Sequence, residues 1–286
     1  MIHKLQFNPV RRLAACLARM TAFVSLAVSP LGAQQSTNAF NYSFDRGQAD
    51  IELQLDSALG LQSTWSQDGG VANTGHIKAM SGGGVRGTYW KRRLDILTQT
   101  GGELFLSVAF KARVGEAKDG SGAASLISLG ISNETKSTLQ SGNLVFLAVG
   151  LDVADANAKD NQSILVIRYR DPAIGDKPSR ETRVGQPVLL QNGAWYSLDA
   201  NIRRAGSSTF IVSAALSQLN DRKDEAPPIL RRTVDPVTIP LGSGEKLITL
   251  LNAPGHYVGF SDGKIFGGGV HGVDNFDVFV SRSPRQ

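Results

Sequence analysis

The sequence predicts an all-β fold, a two-sheet antiparallel sandwich preceded by a signal-peptide helix. Three observations carry this reading. Many short runs alternate apolar and polar residues with a period of two, and glycine or polar clusters break them. Helical periodicity is almost absent after the first thirty residues. The chain closes on Gly267-Gly268-Gly269-Val270-His271-Gly272-Val273-Asp274-Asn275-Phe276-Asp277-Val278-Phe279-Val280, a glycine-rich turn running into a strand.

The first segment sets the compartment. A basic opening (Lys4, Arg11, Arg12) precedes an apolar run from about Leu13 to Val28, then Pro30-Leu31-Gly32-Ala33. This is the pattern of a secretory signal peptide covering residues 1–33, with cleavage after Ala33 and Gln34 starting the mature chain. Leu13-Ala14-Ala15-Cys16 imitates an acylation site, but its apolar run follows the cysteine where acylation needs it before. The residues flanking Arg11-Arg12 likewise do not fit the twin-arginine pattern.

Cleavage changes the charge. Residues 1–33 hold four of the 30 basic residues and none of the 25 acids, so 26 face 25 in the mature chain. A net charge of +5 thereby falls to near neutrality, which argues against a nucleic-acid partner. Cys16 is the one cysteine and leaves with the leader, which excludes disulfides and thiolate metal sites. No second apolar run approaches membrane-spanning length, so no membrane insertion of the mature chain is expected, and the compartment is secreted, periplasmic or extracellular.

Residues 34–286 read as one sandwich domain. Extended runs fall near 40–45, 50–56, 75–80, 84–91, 125–131, 144–152, 163–170, 208–219, 229–234, 247–251, 256–260 and 273–281. The clearest are two others. Over 103–114, Leu104, Leu106, Val108, Phe110 and Val114 line one face, with Glu103, Ser107, Lys111 and Arg113 opposite. Over 195–203, Tyr196, Leu198, Ala200 and Ile202 form the inner row, and Trp195, Ser197, Asp199, Asn201 and Arg203 the outer. In the last strand strict alternation puts Asp274 with Phe276, Val278 and Val280 on the core side, an acid that needs a partner. Polar breaks at 115–123, 155–162, 171–180 and 220–227 read as surface loops, and no internal repeat is present.

Phe44-Asp45, Trp65, Gly69-Gly70 and Gly75-His76-Ile77-Lys78 near the mature start, Gly193-Ala194-Trp195-Tyr196-Ser197-Leu198 in the middle, and Val273-Asp274-Asn275-Phe276 at the close carry a resemblance. Together they resemble the concanavalin A-like lectin/glucanase jelly roll, in particular the laminin-G-like modules of secreted bacterial proteins. The resemblance covers nearly all of 40–281. It implies the fold, and leaves lectins, carbohydrate-binding modules, glycoside hydrolases and polysaccharide lyases open.

Glucanases of this fold carry acids at alternate positions of one strand, because a retaining mechanism sets two carboxyl groups roughly 5–5.5 Å apart across the sugar. Asp50, Glu52 and Asp56, in Asp-Ile-Glu-Leu-Gln-Leu-Asp, come nearest, with a solvated edge-strand face as the plain alternative. Arg180-Glu181-Thr182-Arg183 resembles the arginine strand of the lyases, but their matching glutamine-histidine and tyrosine-lysine strands are absent. His76, His256 and His271 have no short metal-ligand spacing, no serine sits in a Gly-x-Ser-x-Gly elbow, and the triple glycines open strands rather than helices.

Sugar binding is the better-supported reading. Flat aromatic faces stack on pyranose C–H surfaces while amides and acids bond the hydroxyls. The candidates are Trp65, Tyr89, Trp90, Trp195, Asp199 and Asn201. For Trp195 the plain alternative is a packing anchor. The resemblance further implies one structural calcium ion held by an acid on the last strand, Asp274, with Asp45 as second ligand. The alternative is an aspartate accepting backbone N–H bonds at a strand start, or pairing with an arginine. The expected function is a secreted, non-catalytic carbohydrate-binding or cell-surface protein whose partner is a polysaccharide or other glycan. The alternatives are a divergent glycoside hydrolase or polysaccharide lyase, or a structural envelope or matrix protein.

Overall fold

The computed structural model describes residues 36–44, 53–56, 65–78, 84–90, 92–113, 125–133, 146–154, 162–170, 179–219, 230–240, 255–265 and 268–282. The signal peptide, Asp45, Asp50, Glu52 and the run expected at 247–251 lie outside these residues.

The described strands are β1 (Ser36–Tyr42), β2 (Leu53–Asp56), β3 (Trp65–Ser66), β4 (His76–Lys78), β5 (Gly84–Trp90), β6 (Gly102–Arg113), β7 (Ser125–Ser132), β8 (Phe146–Val153), β9 (Gln162–Arg170), β10 (Ser179–Leu189), β11 (Trp195–Arg204), β12 (Thr209–Gln218), β13 (Leu230–Pro240), β14 (Tyr257–Ile265) and β15 (Gly268–Arg282). They form two antiparallel layers. One is seven-stranded, in the order β2-β5-β14-β7-β8-β9-β10. The second runs β15-β6-β11-β12-β13, with β1 pairing one half of β15 and β4 the other. The hairpin from β14 to β15 joins the layers, pairing Lys264 with Gly269 and Ile265 with Gly268.

The alternation read from the sequence sets the core. Leu104, Leu106, Val108 and Phe110 of β6 and Tyr196, Leu198, Ala200 and Ile202 of β11 are all buried. They share one cluster with Ile127, Leu129 and Ile131 of β7, Leu147, Val149 and Leu151 of β8, and Leu165 and Ile167 of β9. Each large side chain so buried contributes about 1.5–3 kcal/mol of transfer free energy. Trp90 also belongs to this cluster, stacked on Phe40 with ring centroids 5.1 Å apart.

Strand β10 was not expected. Its exposed Glu181, Thr182, Arg183, Gln186 and Pro187 hide the two-residue period, and only Val184 and Val188 turn inward. That composition suits a margin, since proline has no N–H for a neighbouring ladder. The opposite layer ends on β13, with Pro236 and Pro240 exposed. These two outermost strands approach each other where a Cβ on Gly185 would lie 3.4 Å from Val234 Cγ2.

Candidate functional site

The second sheet's outer face carries Trp195, Asp199, Asn201 and Asp274 of the residues singled out by sequence. Residues 71–76 pack over its Asp274 and Trp195 end, and a β-bulge is the reason Asp274 meets them. The register of β15 against β6 slips between Asp274 and Phe276, with Asn275 at a φ of 48°. One extra residue in a strand reverses which way the preceding side chains point. Asp274 therefore pairs opposite Ala109 while Phe276 sits opposite Val108 in the core. The expected grouping of Asp274 with Phe276, Val278 and Val280 is thus corrected, and the acid faces outward.

There it is fully buried and well bonded. Oδ2 accepts from the Val71 amide at 2.9 Å and the Thr74 hydroxyl at 3.1 Å, and Oδ1 from the Asn275 amide at 2.8 Å. N–H and O–H hydrogens point at the oxygens where a hard cation would need bare lone pairs, so this donor set does not fit calcium. Among the described residues no three His, Cys, Asp or Glu side chains gather as a cage.

Beside Asp274, His76 lies over Gly272, where a Cβ would come within 2.5 Å of the ring, and meets Trp195 edge-on at 5.9 Å. Burial holds this imidazole below its ordinary range. Trp195 is only 3% exposed, with the Lys111 ammonium 5.8 Å from its ring, so it has no open face for a sugar. Asp199 Oδ1 accepts both Ser107 and Ser197 hydroxyls, at 2.6 and 2.8 Å, and Asn201 donates to Glu103 at 2.7 Å. Asp277 accepts from Asn41 on the same face. On this face Asp274, Asp199 and Asn201 are hydrogen-bonded, while the buried His76 Nδ1 has no partner among the described residues. Trp65 pairs opposite Ile77 of β4.

The seven-stranded sheet's outer face is built differently. On β9 an apolar run is interrupted by Arg168, which is 8% exposed and pairs with Asp152 of β8, itself 2% exposed. The same guanidinium reaches Glu181 of β10 and Ser128 of β7, both at 3.4 Å. Arg183 lies 3.8 Å from Glu181 and donates to the Ala154 carbonyl at 2.7 Å. Glycines make room for these chains. A Cβ on Gly150 would stand 3.0 Å from Ser128 Oγ and 3.4 Å from Arg168 Nη1, and one on Gly259 would meet the Tyr89 ring at 2.6 Å.

Tyr89 is therefore buried across the strand beside its own, in a small cluster with Phe146 and Ala148 against which half-buried Tyr257 packs. Like Trp90 and Trp195 it offers no open aromatic face. The Ser261 hydroxyl, buried opposite Gly87 on one side and Ser128 on the other, has no hydrogen-bond partner among the described residues. A buried, unsatisfied hydroxyl costs about 1–3 kcal/mol, and such groups gather where a ligand or water completes them. Asp56 pairs opposite Gly87 at the β2 margin of this sheet.

Sequence reasoning named only Tyr89 and Glu181-Arg183 from this face. The signal for the rest was a charge inside a strand apolar on both sides, Ile164-Leu165-Val166-Ile167-Arg168, together with Asp152 in Ala148-Val149-Gly150-Leu151-Asp152.

No family model matches the chain, and no curated protein matches it. Solved structures do. Peanut lectin with a nine-residue peptide aligns at a TM-score of 0.50 and 12% identity, covering 89% of this chain and 100% of that one. Basic winged bean lectin with Tn-antigen aligns at 0.52 and 12%, covering 88% and 100%. Arcelin-5, a lectin-like defense protein from Phaseolus vulgaris, aligns at 0.50 and 11%, covering 88% and 100%. The chain has the concanavalin A-like jelly-roll fold that these legume lectins share.

Proposed function

We propose that this is a secreted, non-catalytic carbohydrate-binding protein whose site is the outer face of the seven-stranded sheet. One observation supports it above the others. A lectin fold carries, on a single face, a rigid polar floor between two solvent-reached margins. The floor is Arg168, Asp152, Ser128 and Ser261, locked by packing and by each other. At one margin stand exposed Glu181 and Arg183, and at the other half-buried Tyr257 and exposed Arg93. From β14 to β10 is four strand spacings, about 19 Å, which suits an oligosaccharide lying across the strands better than a single sugar.

The exposed Arg183 and Glu181 suit hydroxyl groups, which take hydrogen bonds from guanidinium and give them to carboxylate. Export follows from the leader read in residues 1–33.

A glycan array with the exported protein tests this, run beside assays for new reducing ends and unsaturated uronates. Retention of a glycan without product, weakened several-fold by Tyr257→Ala, supports the proposal. Retention of none overturns it. Turnover would instead favour a glycoside hydrolase or polysaccharide lyase.

A further inference from the structure

The Tyr257 margin holds a cation with no ion-pair partner among the described residues. Arg93 is exposed, and its guanidinium carbon lies 4.8 Å from the centroid of the Tyr257 ring. Among the described residues no carboxylate pairs with it. The nearest acid in sequence, Asp95, turns to Arg282 at 3.5 Å. The pair is nonetheless held firmly. The backbones of Leu94 and His256 exchange two hydrogen bonds of 2.8 Å, one residue from each partner. Tyr257 rests on the buried Tyr89 and Phe146 cluster.

A guanidinium placed over an aromatic ring keeps its N–H donors at its rim, where they match the two oxygens of a planar carboxylate. The half-buried Tyr257 ring beneath holds the guanidinium in that orientation. We infer that Arg93 and Tyr257 form a subsite for an acidic sugar, a uronic acid whose carboxylate is forked by Arg93. This rests on the carbohydrate-binding reading and adds the ligand's charge class to it. An oxyanion could also come from a sulfate ester, and the test separates the two.

Titration calorimetry of the full-length protein uses three probes: uronic-acid oligosaccharides, the same oligosaccharides after carboxyl reduction, and a sulfated oligosaccharide of neutral sugars. Wild type is expected to bind the uronates roughly tenfold more tightly than the reduced forms, a charged hydrogen bond's worth. Arg93→Met should remove that preference, while Arg93→Lys should retain only part of it. Arg93 is exposed, so both variants keep the fold, checked by unchanged melting. Equal binding of uronate and reduced forms, preference for the sulfated probe, or an Arg93→Met variant that behaves as wild type overturns the inference while leaving carbohydrate binding standing. Failure of all three probes, with a blank glycan array, removes both.

Discussion

Val71 and Asp274 lie 203 positions apart in the chain, yet the amide of the first donates to the carboxylate of the second at 2.9 Å. This bond, with those from Thr74 and Asn275, fastens residues 67–75 over the second sheet. Asp274→Ala should cost about 3 kcal/mol, since it strands donors as well as deleting a charged acceptor. Urea denaturation gives the loss, and amide exchange at Val71 should quicken selectively.

The bulge that aims Asp274 depends on Asn275 holding a positive φ of 48°. Asparagine tolerates that region and β-branched residues do not. Asn275→Val should destabilise by about 1–2 kcal/mol and Asn275→Gly by much less. A variant pair with equal melting temperatures would show that the left-handed turn is not needed.

Arg168 and Asp152 form a buried pair, and removing one partner leaves the other charged in the interior. Asp152→Ala should cost about 3–5 kcal/mol, while Asp152→Leu combined with Arg168→Met should recover much of it. Chemical denaturation of the three proteins measures the recovery. If the double variant matches the single one, Arg168 is held chiefly by Glu181 and Ser128.

His256 is fully buried, and neither ring nitrogen has a partner among the described residues. Burial pushes its pKa down from 6.5 to about 4, against a smaller upward pull from Asp95. The unfolded chain therefore binds this proton more readily than the folded one. Stability should be intact above about pH 6.5 and fall as the pH drops toward 4, by about 3 kcal/mol from this group. Denaturant melts of wild type and His256→Leu between pH 7 and 4 should diverge by that amount. Parallel curves would assign the acid loss to carboxylates.

The core was legible because a two-residue period survives wherever one face is dry and the other wet, as over 103–110 and 196–202. It failed at four kinds of place. In β10 solvent surrounds most of the strand, so nothing but Val184 and Val188 keeps the period. At Asn275 the count slips by one, which period alone cannot register, and Asp274 changes sides. The aromatics were misplaced for a related reason. Trp195 does lie in the outer row, but a separate segment buries it, and that burial depends on contacts from residues 65–78 rather than on its own strand. Tyr89 and Trp90 follow one another and face opposite ways, one across Gly259 and one onto Phe40, so neither remains in water. The seven-stranded face escaped notice because its members come from five separate runs, and only pairing brings Arg168, Asp152 and Ser128 together.

The prolines of the two outermost strands bear on how the molecule behaves among its own copies. Pro187 on one layer, and Pro236 and Pro240 on the other, withhold amide donors along the borders where an incoming extended chain would otherwise add itself. Along these two strands the molecule resists growing into fibrils by strand addition.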